Sequence, residues 1–112
     1  MTEYMVHLYY HQPIEVPTLT QTAALNKAYE NADALIEAIE EAEIMESSYV
    51  KETIFPSRYI VNIHYYITRK IEADNENEAL EKAGHEVGQE IKHIPDIREL
   101  DSSHAVDMEE YN

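Results

Sequence analysis

Alternation of apolar and polar positions identifies the strand around which this chain is organised, from Tyr59 to Ile71. Its odd positions are mostly apolar or aromatic, and its even positions are mixed. Successive strand residues point to opposite faces, so the odd set predicts a core face and the even set a more polar face. A similar alternation from Tyr4 to Tyr10 predicts a first strand, with one face made of Tyr4, Val6, Leu8 and Tyr10.

Helical spacing follows each of these strands. Apolar residues three and four apart predict one amphipathic helix from about Thr20 to Glu46, and the alternative is a division into two pieces at Asn31 and Asp33. Asp74 and Asn75 are good N-cap residues, so they predict the start of a second helix, and Pro95 marks the exit from it. The two apolar stripes are Leu25, Ala28, Ala32, Leu35, Ile39 and Ala42, and Leu80, Ala83, Val87 and Ile91.

Shorter elements are predicted between and after these segments. Gln12 to Thr18 contains two prolines, which indicates an extended connector. Ser48 to Phe55 has the composition of a short strand. A last short strand is expected between Asp96 and Met108.

The two halves of the chain also look alike. Tyr4–Tyr10 aligns with Tyr59–Tyr65, and Asp33–Ala38 aligns with Glu78–Ala83, with roughly ten additional residues in the first half. Two strand-then-helix halves predict an α+β fold of the ferredoxin-like β-α-β-β-α-β type, with an antiparallel or mixed sheet and two acidic helices on one face. Chance similarity between such segments is the alternative. One domain is expected over residues 1–108, with a loose acidic tail at 109–112.

Charge narrows the possible partners. The chain has 8 basic and 23 acidic residues, which gives a net charge of −15. Such a surface repels nucleic acids and anionic membranes, and it attracts basic proteins. The absence of cysteine excludes disulfides and thiolate chemistry. With no apolar run of membrane-spanning length and no recognisable signal peptide, the expected location is the cytoplasm.

The acids are concentrated along the predicted helices. No basic residue lies between Lys27 and Lys51, and six pairs of acids in that interval are three or four residues apart. On one helix these like-charge pairs would cost roughly 1–3 kcal/mol. Rows of carboxylates with such an avoidable cost suggest imitation of nucleic-acid phosphates, although solubility alone is the simpler explanation. The candidate partner-binding residues are Glu30, Asp33, Glu37, Glu40, Glu41, Glu76, Glu78 and Glu81.

A second candidate surface is the polar face of the predicted sheet, which is rich in tyrosine and histidine. Tyrosine is favoured at protein interfaces, so this face is expected to bind a partner or a second copy of the chain. The alternatives are a partly exposed face or one covered by the C-terminal segment. The candidate interface residues are Met5, His7, Tyr9, Ile60, His64 and Tyr66.

No pattern typical of catalysis is present. The serines lie in no nucleophile motif, and the only two glycines form no phosphate-binding loop. No His-Glu-x-x-His or paired-cysteine pattern is present, so no metal and no cofactor are expected. The alternative is a zinc or nickel site made by His7, His11 and His64 on one face of the sheet.

A small, cysteine-free, acidic α+β domain resembles the phage-encoded inhibitors of host defence, including anti-CRISPR proteins and other DNA mimics. The resemblance is one of composition and implies no functional residues. We therefore expect a non-enzymatic inhibitor that occupies the basic site of a nucleic-acid-binding enzyme, in the host cytoplasm if the chain is phage-encoded. The alternative is a small structural or regulatory domain that self-associates through its tyrosine- and histidine-rich sheet face.

Overall fold

The computed structural model describes residues 1–51 and 57–109. Within these ranges the chain has an α+β fold, in which six strands form one antiparallel sheet accompanied by two helices. The elements are β1 (Thr2–Pro17), α1 (Gln21–Ile36), β2 (Ala42–Ile44), β3 (Tyr49–Lys51), β4 (Arg58–Ala73), α2 (Glu76–Glu90), β5 (Arg98–Glu99) and β6 (His104–Asp107).

Two long strands form the centre of the sheet. β1 and β4 each have 16 residues and pair antiparallel along their whole length, from Thr2 opposite Ala73 to Pro17 opposite Arg58. β2 and β3 pair with the outer edge of β4, and β5 and β6 pair with the outer edge of β1. Each edge therefore carries two short strands where the sequence predicted one. The long central pair makes the molecule elongated, with extents of 54 × 24 × 20 Å.

The predicted core face is confirmed. Even-numbered side chains of β1 and odd-numbered side chains of β4 are buried along most of both strands, and they form one cluster with the apolar sides of both helices. Tyr65 is fully buried there, and its hydroxyl donates a hydrogen bond to Gln12 Oε1 at 2.5 Å. That bond satisfies a polar atom whose burial would otherwise destabilise the fold. Because the buried alternation never changes face, both helices lie on the same side of the sheet.

The predicted helix from Thr20 to Glu46 is wrong at its end. Thr20 does cap α1, and its hydroxyl accepts a hydrogen bond from the Ala23 amide, but the helix stops at Ile36. Glu41 then adopts a left-handed φ of 56°, and the next three residues pair with β4 as strand β2. Strand pairing satisfies the backbone of this segment without placing several carboxylates at a helix C-terminus, where the helix dipole disfavours them.

Because α1 ends at Ile36, the energetic cost of its like-charge pairs is smaller than the sequence predicted. Only the pairs formed by Asp33 with Glu30 and with Glu37 remain within α1 and its C-cap. Two such pairs cost about 0.4–1 kcal/mol, so most of the penalty expected for one long helix is not incurred.

The predicted connector at Gln12 to Thr18 is also wrong, because β1 continues to Pro17. Pairing with β5 and β6 ends at His11, so Pro13 lies where β1 is an edge strand among the described residues. Proline, which has no amide hydrogen, is tolerated there because no strand on that edge needs a backbone donor. The strand predicted at Ser48 to Phe55 is present as β3, although residues 52–56 lie outside the described ranges.

The C-terminal predictions are only partly testable. The segment expected to hold one short strand contains two, β5 and β6. Of the predicted acidic tail, residues 110–112 lie outside the described ranges.

The helices lie end to end above the sheet. α1 follows the Pro17 end of β1 and α2 follows the Ala73 end of β4, so they begin at opposite ends of the sheet and their C-termini meet over its middle. There His93 Nε2 lies 2.6 Å from the Leu35 carbonyl oxygen, one of the last in α1. The helices do not pack on each other, and each packs only on strands.

An internal repeat relates the two halves. Thr20 and Asn75 cap their helices in the same way. Glu41 and Asp96, separated by the same number of residues, share a φ of 56°. The Ser48 hydroxyl accepts from the His64 amide, and its counterpart Ser103 accepts from the Tyr9 amide, at 2.9 Å in each case. The chain thus contains two copies of one β-α-β-β unit, related by a pseudo-two-fold axis near the Tyr10–Tyr65 pair.

The repeat confirms one predicted alignment and corrects the other. Tyr4–Tyr10 corresponds to Tyr59–Tyr65, as the strand pattern indicated. Asp33, however, corresponds to Gly88 and not to Glu78, and the first half has no ten additional residues. The helix alignment was wrong because short Ala-Leu-Glu segments match at several shifts.

Candidate functional site

An acidic surface lies where the two helices meet. Arg69 extends from β4 into this region, with a side chain that is only 11% exposed. One of its guanidinium nitrogens donates to the Glu40 carbonyl oxygen at 2.6 Å, and the other forms bonds of 2.9 and 3.0 Å with the Glu90 carboxylate. Nε lies 3.5 Å from Glu86 Oε1. The C-terminal regions of α1 and α2 are therefore joined through one arginine.

We call this region the central acidic patch and define it as Glu37, Glu40, Glu41, Glu86 and Glu90. Each helix C-terminus contributes roughly half an elementary negative charge of its own, and here two such ends converge. Arg69 offsets only part of this negative charge. The five carboxylates of the patch therefore outnumber the one arginine that the structure places among them.

The structure divides the residues predicted to bind a partner. Glu37, Glu40 and Glu41 belong to the central acidic patch. Glu30 and Asp33 are exposed farther back along α1. The remaining three predicted residues are Glu76, Glu78 and Glu81, which lie in the first turns of α2 at one end of the sheet.

Glu78 differs from its neighbours because Lys82 lies 2.9 Å away, one helical turn along α2. The hydrogen bond from Lys82 lowers the pKa of the Glu78 carboxyl group. Glu78 is therefore partly neutralised by its lysine, and Glu76 and Glu81 are the more strongly negative of the three.

Glu86, Glu90 and Arg69 were absent from the predicted site. One signal in the sequence pointed to them, because Arg69 interrupts an otherwise apolar or aromatic core face. An arginine at such a position needs acidic partners, and Glu86 and Glu90 supply them from α2. Which acids of α2 reach Arg69 depends on where α2 ends. The alternation of residues along β4 does not specify that position.

The face of the sheet opposite the helices, here called the outer face, has a different composition. It is formed by the odd positions of β1, the even positions of β4 and the edge-strand residues in register with them. Among the described strand residues of this face, acids and bases are balanced, four against four: Glu3, Glu15, Glu43 and Glu72, and Lys51, Arg58, Lys70 and Arg98. Two further acids, Glu41 and Asp96, border the face at its edges.

The helix side, defined as α1, α2 and residues 37–41 and 91–94, is strongly acidic in comparison. Three lysines, Lys27, Lys82 and Lys92, are its own basic residues. Its ten acids are Glu30, Asp33, Glu37, Glu40, Glu41, Glu76, Glu78, Glu81, Glu86 and Glu90.

Aromatic and imidazole rings pair across the outer face. His11 and His64 lie opposite each other on β1 and β4, with ring centroids 5.7 Å apart, and Tyr49 contacts His64 edge-on at 6.0 Å. Asn62 Oδ1 accepts from His11 Nε2 at 3.0 Å, and Ser47 Oγ lies 2.8 Å from His64 Nδ1. These contacts fix the orientation of both imidazoles.

The internal repeat produces an equivalent group of rings in which tyrosine and histidine are exchanged. Tyr9 stacks on Tyr66 at 5.1 Å and on His104 at 6.1 Å. Tyr9 corresponds to His64, Tyr66 to His11 and His104 to Tyr49. His7 stacks on His104 at 4.9 Å, and its Nδ1 lies 2.5 Å from the Tyr66 hydroxyl. The predicted interface residues His7 and Tyr9 thus both contact the third, Tyr66, whereas His64 belongs to the other ring group.

Met5 and Ile60, the two remaining predicted interface residues, also lie on the outer face and are half-buried. They occupy equivalent positions in the two repeats.

Burial and a neighbouring imidazole lower the pKa values of two outer-face histidines, His7 and His64. Burial lowers the pKa of His7, and the neighbouring His104 lowers it further. Burial and the neighbouring His11 lower the pKa of His64 in the same way. Both imidazoles are therefore predominantly neutral at pH 7.

Within residues 1–51 and 57–109, no group of three or more potential ligand side chains is placed to hold a metal ion. The histidines come together in pairs on the outer face, which gives at most two imidazole ligands at one point. In the same ranges, no helix is both long and apolar enough to cross a membrane.

Comparison of the chain with protein-family models, with curated proteins and with solved structures finds no match. The class of protein is therefore defined by its own architecture: an internally repeated α+β domain with an acidic helix side and a charge-balanced outer face.

Proposed function

We propose that this chain is a non-enzymatic binding protein, an inhibitor whose helix side occupies the basic site of a nucleic-acid-binding enzyme. The observation that carries the proposal is the central acidic patch. A groove lined with lysine and arginine binds phosphates through their charge, and exposed carboxylates compete for the same groups. Two converging helix C-termini strengthen this field without adding further side chains.

The shape of the molecule supports the same proposal. Its longest extent is 54 Å, and acids lie both at the centre and near the Ala73 end of the helix side. A duplex of that length has roughly 16 base pairs at about 3.4 Å per step. The helix side is therefore long enough to cover a typical duplex-binding groove.

We also propose that the fold is a variant of the ferredoxin-like arrangement. If β2 with β3, and β5 with β6, each count as one interrupted edge strand, the strand order is edge, β4, β1, edge. The chain order of strands and helices then follows β-α-β-β-α-β. The end-to-end helices are the feature that this variant would add.

The experiment is a competition assay against short duplex DNA for a panel of purified basic DNA-binding enzymes, including nucleases of bacterial defence systems. We expect the wild-type protein to displace DNA from its target and to lose affinity as salt rises, because the contact is electrostatic. Inhibition of no enzyme in the panel, or inhibition that is independent of salt, would contradict the proposal.

A charge-reversal pair localises the contact. The variant Glu37→Lys, Glu40→Lys, Glu41→Lys removes charge from the central acidic patch. Its matched control, Glu3→Lys, Glu43→Lys, Glu109→Lys, changes the net charge equally at positions outside the helix side. We expect the first variant to lose inhibition by about thirtyfold or more and the control to retain most of it. Equal losses would mean that only net charge matters.

A further inference from the structure

The outer face has the features of a self-contact surface. The eight charged residues on its described strands cancel, and the acids that border it are Glu41 and Asp96, whereas the whole chain has a net charge of −15. A second copy brought against the helix side would place like charges together. A second copy brought against the outer face meets a balanced surface, and both helix sides then point away from the contact.

The size of the outer face is sufficient for such a contact. The two long strands and the four short edge strands have 44 residues. At spacings of about 4.8 and 3.3 Å these residues cover roughly 700 Å². That area lies within the roughly 600–1,000 Å² per partner that a standard interface buries.

The residues at its centre are suited to an interface core. Tyr9, His11 and His64 are half-buried and held by neighbouring rings and hydrogen bonds, so little side-chain entropy remains to be lost on association. Both repeats place rings at these equivalent positions, although the individual residues differ. The ring-bearing character of the face is therefore common to both halves of the chain.

From this balance of charge, area and ordered rings, we propose that two copies of the chain associate face to face through their outer faces to form a two-fold symmetric dimer. The contact is isologous, so each copy presents the same surface to the other. The helix sides remain exposed on the two outer surfaces of the dimer. This inference does not depend on the proposed inhibitory function.

Sedimentation equilibrium of the purified full chain, over a range of concentrations and at low and high salt, tests the dimer. We expect a monomer–dimer equilibrium that tightens as salt rises, because salt screens the repulsion between two acidic molecules and the contact itself is balanced. Inhibitor binding through the helix side has the opposite salt dependence, so failure of one proposal is distinguishable from failure of the other. A monomer at every concentration and salt would overturn the dimer.

Two pairs of variants locate the interface. Tyr9→Glu puts charge at the centre of the outer face, and Tyr29→Glu makes the same change on α1. We expect the first to raise the dimer dissociation constant by about thirtyfold or more and the second to leave it nearly unchanged.

Arg98→Glu and Lys92→Glu form the second pair, at exposed sites where folding is not at risk. They alter net charge equally, and only Arg98 lies on the outer face, so we expect only Arg98→Glu to weaken the dimer. A dimer unaffected by Tyr9→Glu and Arg98→Glu, or equally sensitive to their controls, would show that the outer face is not the interface.

Discussion

The helix side and the outer face are built on the same two strands, yet they differ in charge and in the contacts that their side chains make. Ten acids and three lysines lie on the helix side, whereas the outer face is balanced and carries rings that contact one another. The apolar core separates the two surfaces. The net charge of this chain is therefore not spread evenly over its surface. The sheet lies between a strongly acidic side and a side whose strand residues are balanced in charge.

The largest expected effect comes from comparing adjacent residues on opposite faces of β1. Leu8 is fully buried beneath the helices, and Tyr9 is half-buried on the outer face. Leu8→Ala should lower the free energy of unfolding by about 2–5 kcal/mol, because it leaves a cavity in the core. Tyr9→Ala should cost less in a monomer held at low concentration. Urea denaturation of both variants measures the difference, and equal costs would mean that the outer face is also core.

Arg69 offers a test of the acidic side. Its equivalent in the first repeat is Ile14, so Arg69→Ile introduces a residue that the fold already accepts at that position. We expect a loss of about 1–3 kcal/mol, because the Arg69 side chain is only 11% exposed and both Glu90 and the Glu40 carbonyl would lose its hydrogen bonds. Lys82→Ile is the control, because solvent screens its surface pair with Glu78 and the pair contributes little to stability. Thermal or urea unfolding at low salt compares the two, and a smaller loss for Arg69→Ile than for Lys82→Ile would contradict the expectation.

Acidification should act on the outer face before it acts on the carboxylates. His7 and His64 have folded-state pKa values below 6.5, so the unfolded chain binds more protons in the window below that pH. Their contribution to stability is complete above about pH 6.5 and is lost as the pH falls through the folded-state pKa values. Urea unfolding between about pH 7.5 and pH 5 measures this loss.

The internal repeat supplies the control for that pH experiment. Asn62 is the equivalent of His7, and Tyr9 is the equivalent of His64, so the double variant His7→Asn, His64→Tyr uses residues that the fold already holds at these positions. We expect its unfolding free energy to depend less on pH across the same window. An unchanged pH dependence would show that these two imidazoles are not its source.

Strand alternation allowed much of the sheet to be predicted from the sequence. The core faces of β1 and β4 followed from period-two burial, and Asn75 was recognisable as a helix cap. The end of α1 was not predictable in this way, because Ile39 and Ala42 continue the helical spacing while their backbone turns away to pair with β4. Tertiary strand pairing therefore overrode a local pattern that fitted a helix equally well.

The candidate site was predictable by residue type but not by position. Excess glutamate indicated an acidic surface, yet the convergence of two helix C-termini on Arg69 depends on both helices running to the middle of the sheet. That convergence is a property of the internal repeat, which places the C-termini of α1 and α2 next to each other. The repeat was visible in the strands and was obscured in the helices by their alanine and glutamate content.

The separation of charge between the two sides of the sheet can be measured directly by NMR. Amide proton relaxation is compared between a cationic and an anionic paramagnetic probe of equal size, which reports the local potential at each residue. We predict that the cationic probe accumulates strongly at the end of α1 and the end of α2, and that both probes relax Tyr9, His11 and His64 about equally. Equal enrichment of the cationic probe around helices and outer face alike would contradict the account.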